Sequence, residues 1–210
     1  MKKGVICDEV LRKLSRFNYS KSDMNFERRD VAFHINGGIA AAVIAHFNGM
    51  YNLGEKGVVD PGFLTTYEDV PVLFDAKRQL HYSNLPGLPI AMENNLGVYE
   101  ISPMQDQYNT FFIQRAASAG LYSGLYASNM DGNTMARQEG KKVFYTNIKK
   151  GQCEIEPVLM LLVVDTFDLD MSDEIPMPAN YQDFVVDATF QKMAQSLGIK
   201  TDVKTDGTPN

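Results

Sequence analysis

The spacing of apolar residues changes twice along this 210-residue chain. Up to about residue 53 the apolar side chains recur at steps of three and four, which is typical of amphipathic helices. After Gly54 the chain carries short runs rich in β-branched and aromatic residues, bounded by Pro, Gly, Asn and Asp, and these predict strands. Helical spacing returns near residue 179. This order predicts an α+β protein with helices at both ends of a β-rich middle.

The first and third predicted helices have clear ends. The first covers residues 5–17, where apolar side chains form one stripe. The third covers residues 179–197. Pro178 suits its first turn, where a missing N–H costs nothing, and Gly198 is a typical residue to end a helix.

The second predicted helix carries two adjacent glycines inside its apolar stripe. It begins near Asn25 or Phe26 and reaches about Met50, and the glycines are Gly37 and Gly38. An interior glycine costs about 1 kcal/mol relative to alanine. We therefore expect either a kink at this point or another backbone packed closely against it.

The middle of the chain predicts six strands and one ambiguous segment. Residues 116–128 fit either a strand or a packed loop, because small and aromatic residues alternate there. The six predicted strands are 65–67, 70–74, 97–101, 110–113, 142–145 and 157–167.

The simplest architecture packs the three helices into a helical base that carries the antiparallel β-rich region as an insert. The expected parts are an N-terminal helical segment (1–56), a β-rich insert (57–168), a C-terminal helix completing the base (169–198) and a flexible polar tail (199–210).

Charge is unevenly distributed although the net charge is only −6. The first thirty residues are basic, whereas residues 151–191 contain no Lys or Arg and nine carboxylates. Such polarity suits head-to-tail contact between identical subunits, because oppositely charged faces attract. The alternative is two solvated faces of a monomer.

Several compartments and partners are disfavoured by composition. The two cysteines form neither a disulfide framework nor a CxxC pair, which fits a reducing compartment. No signal peptide is expected, and the longest apolar runs, 158–164 and 37–45, are too short to span a bilayer. Aromatic residues are not interleaved with Lys or Arg on any one segment, so no specific nucleic-acid contact is expected.

The patterns that bind phosphate or activate a serine are absent from the sequence. No GxxxxGK[ST] and no strand-linked GxGxxG occur. Ser123 precedes a glycine, but a nucleophile elbow needs glycine two residues before and after it, where Leu121 and Leu125 stand. Ser123 is therefore interpreted as a turn or strand residue.

The histidines and cysteines do not form a recognisable site either. His34 and His46 are twelve residues apart, too far for a shared metal, and His81 fits a polar surface turn. Cys7 and Cys153 each lie in an apolar pattern, which favours a buried thiol over a nucleophile paired with histidine.

The densest group of carboxylates lies between residues 165 and 174. Calcium binding in an EF-hand loop would need glycine sixth and glutamate twelfth, and counting from Asp168 those positions hold Asp173 and Ala179. A looser divalent site, a solvated loop and a surface for a basic partner stay open. We predict no catalytic residue, no bound cofactor and no metal ligand.

Six short stretches of the sequence resemble virion proteins of tailed phages. Residues 8–14 (DEVLRKL) followed by 27–31 (ERRDV) resemble the two-helix opening of connector subunits. The β region resembles virion proteins from phages of Bacteroidetes hosts, including crAss-like phages, at 71–75 (PVLFD), 80–86 (LHYSNLP) and 97–103 (GVYEISP). Residues 175–183 (IPMPANYQD) are similar to the ending of head–tail adaptors.

This resemblance implies a structural, non-enzymatic virion protein. It implies a homo-oligomeric ring, commonly dodecameric, below the portal, which joins capsid to tail and assembles in the host cytoplasm. Its partners would be the portal protein and other ring or tail proteins, with the helices contacting neighbouring subunits and the β insert contacting the next ring or the tail. Passage of DNA through the ring lumen is compatible with this role.

Two other roles are open at this point. One is a different tail or virion component, and the other is a binding module whose β domain recognises a carbohydrate or host surface. An enzyme would need a pocket that combines Cys7 or Cys153 with a histidine.

Overall fold

The computed structural model describes residues 1–16, 26–52, 58–92, 96–113, 134–148 and 157–196. These residues form three α-helices and two β-sheets, which confirms the α+β class. The chain divides into two compact units. Unit 1 contains residues 1–63 and 166–210, and unit 2 contains residues 64–165.

Unit 1 contains the helices α1 (Lys3–Arg16), α2 (Arg28–Asn52) and α3 (Gln182–Ser196). The first helix begins two residues earlier than predicted, because the N–H groups of Lys3 and Gly4 donate to the carbonyls of Asp173 and Met171. These bonds satisfy N–H groups that have no partner within a helix.

The second and third helices, in contrast, begin later than predicted. The carboxylate of Asp30 accepts a hydrogen bond from the Glu27 N–H (2.9 Å), a capping interaction that fixes the start of α2 at Arg28. A 3₁₀ turn, Ala179–Tyr181, precedes α3. The predicted helix ends at Phe17, Leu197 and Gly198 lie outside the described residues, as does the tail 199–210.

The glycine pair in α2 lies where another helix packs closely against it. Of the two expected alternatives, a kink or a closely packed backbone, the second is confirmed. A Cβ atom on Gly38 would lie 2.2 Å from Oγ1 of Thr189 and 2.8 Å from the carbonyl oxygen of Val185, both in α3. Thr189 is buried and donates its hydroxyl to that same carbonyl (2.7 Å). Only a glycine lets the two helices approach this closely.

The core of unit 1 lies where the three helices meet. The buried apolar side chains of α2 recur at helical spacing and form one stripe. The fully buried apolar residues of this core are Ile6, Cys7, Val10, Val31, Ile35, Ala42, Val43, Val185 and Ala194.

Unit 2 contains eight strands among its described residues, in two sheets. One has three strands in the order β1-β8-β4, and the other has five in the order β2-β3-β7-β6-β5. The strands are β1 (Thr65–Val70), β2 (Leu73–Asp75), β3 (Leu80–Asn84), β4 (Val98–Pro103), β5 (Phe112–Ile113), β6 (Met135–Glu139), β7 (Lys142–Thr146) and β8 (Val158–Leu162).

Three expectations about these strands were wrong. The predicted strand 70–74 is split, because Pro71 lacks the N–H needed to continue a ladder. Strands β3 (LHYSN) and β6 (MARQE) were not predicted, because their polar and charged residues interrupt the alternation of apolar and polar side chains that indicates a strand. The sheets are also not wholly antiparallel, because β5 pairs with β6 in parallel.

One face of each sheet contributes to a shared core in unit 2. Ala136, Val143 and Tyr145 of the five-stranded sheet lie in one apolar cluster with residues of the three-stranded sheet. The other members are Val70, Val98, Ile101, Val158, Met160 and Leu162. Side chains alternate between the two faces of a strand, so this core leaves the opposite face of the five-stranded sheet turned away from it.

Candidate assembly surfaces

Unit 1 exposes two aromatic side chains that lie next to each other. Phe33 of α2 is 67% exposed and Phe167 is 53% exposed, and their ring centroids are 5.8 Å apart. Asp168 and Asp170, both exposed, follow Phe167 in the chain. We call these four residues the aromatic–acidic patch. An exposed aromatic pair with a charged border is typical of a protein–protein contact surface.

The segment that carries Phe167 is fixed to α2 by Asn36. The Oδ1 atom of Asn36 accepts hydrogen bonds from the backbone N–H (3.0 Å) and the hydroxyl (2.8 Å) of Thr166. Thr166 is buried. The position of Phe167 beside Phe33 is therefore set by its neighbours in the chain and does not depend on the exposed rings alone.

The same segment is fixed to the start of α1 by a buried lysine. Lys3 is 4% exposed, and its ammonium donates to the carbonyls of Thr166 (2.8 Å) and Leu169 (2.9 Å). Two carbonyl acceptors keep the buried cation solvated by protein dipoles. Together with the bond from the Lys3 N–H to Asp173, these contacts hold the acidic segment in a defined conformation.

Helix α2 has apolar residues on the side away from its buried stripe as well. Phe33, Ala40, Ile44 and Phe47 recur at steps of seven, four and three, which places them on one side of the helix. Phe33 is exposed and the other three are half-buried. A helix that is apolar around its whole circumference is usually covered on every side.

Within the described residues, α2 is the one helix that is long and apolar enough to cross a membrane. Length and composition are weak evidence for a span, because core helices share both. A third of this stretch is buried, and Gly38 of α2 packs directly on α3.

The basic start and the acidic end of the sequence lie side by side in unit 1. Lys13 of α1 forms an ion pair with Asp187 of α3, and Lys2 forms a β-bridge with Glu174. The interpretation that these segments form opposite faces is therefore corrected. The attraction between the basic and acidic side chains acts within one chain. Because these side chains are exposed or half-exposed, it contributes little stability.

Unit 2 carries aromatic side chains across the outer face of its five-stranded sheet. Leu73 lies opposite Tyr82, Tyr82 opposite Phe144, and Phe144 opposite Arg137. Directly opposed residues share a face, and this row is on the face opposite to the core. The row links two hairpins, β2–β3 and β6–β7, that are far apart in the sequence.

Cationic side chains cover these rings. The guanidinium of Arg78 lies 4.8 Å from the centroid of Phe144, and the ammonium of Lys142 lies 4.2 Å from the centroid of Tyr82. Arg78 also donates to Glu139 (2.7 Å), and this hydrogen bond is the main cause that lowers the pKa of Glu139. We define the cationic sheet face as Leu73, Arg78, Tyr82, Arg137, Lys142 and Phe144.

The predicted carboxylate group does not gather into a metal site. Among the described residues, no three His, Cys, Asp or Glu side chains converge. Within the group, the Asp173 carboxylate instead accepts a hydrogen bond from the Asp170 N–H (2.7 Å), which shapes the loop. The remaining interpretations of this group are a solvated loop and a surface for a basic partner.

The three histidines lie in separate environments. Nδ1 of His46 is 2.9 Å from the Tyr181 hydroxyl. Nε2 of His34 is 3.5 Å from the Ser196 hydroxyl at the end of α3. His81 was expected in a polar turn but lies in β3, with its ring 5.1 Å from Phe74. The two helical histidines therefore bridge α2 to the segment around α3.

His34 makes unit 1 sensitive to pH. Burial lowers its pKa below the ordinary value of 6.5, against the opposing effect of Asp30. The folded state thus takes up this proton less readily than the unfolded chain, and the stability contributed by neutral His34 is present above about pH 6.5 and lost as the pH falls through its lowered pKa. We expect the wild-type free energy of unfolding in urea to fall more between pH 7 and 5 than that of His34→Gln. Parallel curves would contradict this.

Of the remaining candidates, only Cys7 lies in the described residues. It is a fully buried free thiol, as predicted, and burial raises its pKa. A buried thiol with a raised pKa is a poor nucleophile. Cys153, Ser123 and the ambiguous segment 116–128 lie outside the described residues.

A half-open cavity of about 300 Å³ lies in unit 2. Among the described residues that line it, Gln138 is the one polar side chain, and it donates from Nε2 to the carbonyl of Gly140 (3.2 Å). The lining residues are Pro89, Ile90, Ala91, Met92, Gly97, Gln138 and Gly140.

Comparison with known proteins does not assign the chain. No protein-family model matches it, and no curated protein is significantly similar to it in sequence.

Proposed function

We propose that this chain is a structural virion protein that forms a homo-oligomeric ring in the head-to-tail connector of a tailed phage. The ring, dodecameric in this proposal, lies below the portal and joins the capsid to the tail. Unit 1 is the helical base and unit 2 the insert that reaches the next ring or the tail. The protein assembles in the host cytoplasm and has no enzymatic role.

The observation that carries an assembly role is the exposed aromatic surface of unit 1. Phe33 projects from the second apolar side of α2 and meets Phe167. Exposing two phenylalanines is unfavourable in water, and covering a side chain of this size contributes about 1.5–3 kcal/mol. Hydrogen bonds from Thr166 and Lys3 hold the surface in place, so it is preorganised for a partner.

The connector assignment within that role rests on sequence motifs. Residues 8–14 and 27–31 resemble the two-helix opening of connector subunits, and they lie in or next to α1 and α2, the helices to which the proposal gives subunit contacts. Residues 71–75 and 80–86 resemble virion β regions and contain β2 and β3. A different tail or virion component would use the same surfaces with other partners.

Replacing Phe33 by Ser is expected to weaken self-association at least tenfold, measured as mass against concentration by light scattering. The physical reason is the loss of apolar area at the contact. Leu88→Ser in unit 2 is the matched control, because Leu88 is also exposed (40%). A Phe33→Ser protein that assembles like wild type would remove the main support for this role.

A carbohydrate- or host-binding module is the second candidate. Tyr108 is fully exposed and Phe112 is 49% exposed in unit 2, and exposed aromatic rings can stack on sugars. A glycan array probed with the whole protein separates the two candidates. Specific binding that Tyr108→Ala abolishes would favour the module, whereas no binding together with a discrete high-mass species favours the ring.

A further inference from the structure

The positive charge of unit 2 lies on the five-stranded sheet and in two of its hairpin turns, which the strand register places at opposite ends of that sheet. Every Lys and Arg that the structure describes between residues 64 and 165 lies on β6, in the β2–β3 or β6–β7 turn, or at the start of β7. These five residues are Lys77, Arg78, Arg137, Lys141 and Lys142.

Carboxylates on the same sheet balance only part of this charge. Glu139 pairs with Arg78 and Arg137, and the carboxylate of Asp75 accepts bonds from the backbone N–H groups of its own turn. Within the described residues, Lys141 and Lys142 form no ion pair. The cationic sheet face therefore keeps an excess of positive charge next to apolar side chains.

The aromatic–acidic patch of unit 1 has the complementary character. Its centre is the Phe33–Phe167 pair and its border is Asp168 and Asp170. The cationic sheet face exposes Leu73 (40%) on its edge strand β2, and cationic side chains cover the rings in its middle. Each surface therefore combines exposed apolar area with charge, and the two charges have opposite sign, as in complementary protein–protein interfaces.

We propose that the cationic sheet face of one copy binds the aromatic–acidic patch of a second copy, an inference that rests on the proposed function. The contact joins two different surfaces of the same chain. A heterologous contact of this kind leaves one of each surface free on a dimer, so it continues until a ring closes or a filament grows. It thus supplies the type of contact that a ring requires.

A protein partner fits the cationic sheet face better than nucleic acid does. Single-stranded nucleic acid stacks its bases on accessible aromatic rings. Here Phe144 is only 5% exposed, and Arg78 and Lys142 lie over Phe144 and Tyr82. The chain also has a net charge of −6, which repels a phosphate backbone.

A charge-exchange experiment tests this contact on the full chain. The first variant is Lys141→Glu with Lys142→Glu, and the second is Asp168→Lys with Asp170→Lys. All four side chains are exposed or half-exposed and none forms an ion pair among the described residues. Each variant alone brings like charges together, and we expect at least tenfold weaker self-association by light scattering. Glu68→Lys with Asp69→Lys is the control, because it changes the net charge as much as the second variant does and both residues are exposed on β1, outside the two surfaces.

Mixing the two variants is the decisive step. Both contacts in a mixed assembly again join opposite charges, so the mixture is expected to recover the wild-type mass. Recovery also shows that each variant is folded. The proposed contact is wrong if both variants assemble alone like wild type. It is also wrong if the mixture stays dissociated although each variant melts like wild type. Neither result contradicts the ring itself. A wild-type protein that stays monomeric at every concentration, both alone and with a portal protein, overturns the ring as well.

If the first variant fails to melt like wild type, Lys142→Glu alone replaces it, and if the second variant fails, Asp168→Lys alone replaces it. The mixture of the two variants that melt like wild type must restore the mass under the proposed contact. Binding of single-stranded DNA by wild type, abolished in the Lys141→Glu and Lys142→Glu variant without any change in mass, would instead assign this face to nucleic acid.

Discussion

Replacing Gly38 by Ala is expected to lower the free energy of unfolding by about 2 kcal/mol. The added methyl would lie 2.2 Å from Oγ1 of Thr189 and 2.8 Å from the Val185 carbonyl. Thr189 is fully buried, and a backbone carbonyl cannot rotate away, so α2 and α3 must move apart. Overpacking costs about 1–3 kcal/mol, and contacts this short belong at the upper end, so about 2 kcal/mol remains after the gain in helix propensity of about 1 kcal/mol.

Gly49→Ala provides the matched control in the same helix. A Cβ at Gly49 meets nothing within 4 Å, so only helix propensity changes and stability should rise by up to about 1 kcal/mol. The two variants, compared by urea denaturation, are therefore expected to shift in opposite directions. Equal shifts would mean that α2 and α3 are not in close contact at Gly38.

Replacing Lys3 by Met is expected to cost about 2–3 kcal/mol. The methionine fills similar volume but leaves the carbonyls of Thr166 and Leu169 without the ammonium donor. Each buried polar group that loses its partner costs about 1–3 kcal/mol. Because the same bonds hold the segment that carries Phe167, self-association should weaken in this variant too.

Lys2→Met is the control for that substitution, since Lys2 is exposed and its neighbour Lys3 is buried. It removes the same charge and should change the urea midpoint by little. If Lys2→Met and Lys3→Met unfold alike, the buried ammonium does not anchor the loop. The account of how the aromatic–acidic patch is held would then be wrong.

The helical unit was predictable because its signals are local. Apolar residues at helical spacing predicted all three helices, and the glycine pair predicted a close contact before any partner was known. The boundaries were less accurate. Capping by Asp30, and by the carbonyls of Asp173 and Met171, depends on loops whose conformation no local pattern specifies.

The sheet unit was harder to predict because its interactions cross strands. Strand β6 (MARQE) is mostly polar and charged, and only its place beside β7 makes it a strand. The cationic sheet face was missed for the same reason. Arg78 and Phe144 are 66 positions apart in the sequence, and basic and aromatic residues were sought on one segment.

The charge argument changed most between sequence and structure. The sequence indicated a basic start facing an acidic end across opposite surfaces. Ion pairing of Lys13 with Asp187 brings these two segments together within unit 1. In the proposed contact, the basic surface offered to another copy belongs to unit 2, where no basic surface was expected from the sequence. The position of a charged side chain in the fold, and not the number of charges in its segment, decides whether it can interact with another copy.

Light scattering on the purified wild-type protein over a wide range of concentrations tests the central claim most directly. The measurement is made on the protein alone and together with a portal protein. A large, discrete species of fixed mass, formed alone or only with the portal protein, is the predicted result, and imaging would then give its symmetry. A strict monomer at every concentration that ignores the portal protein would contradict the ring.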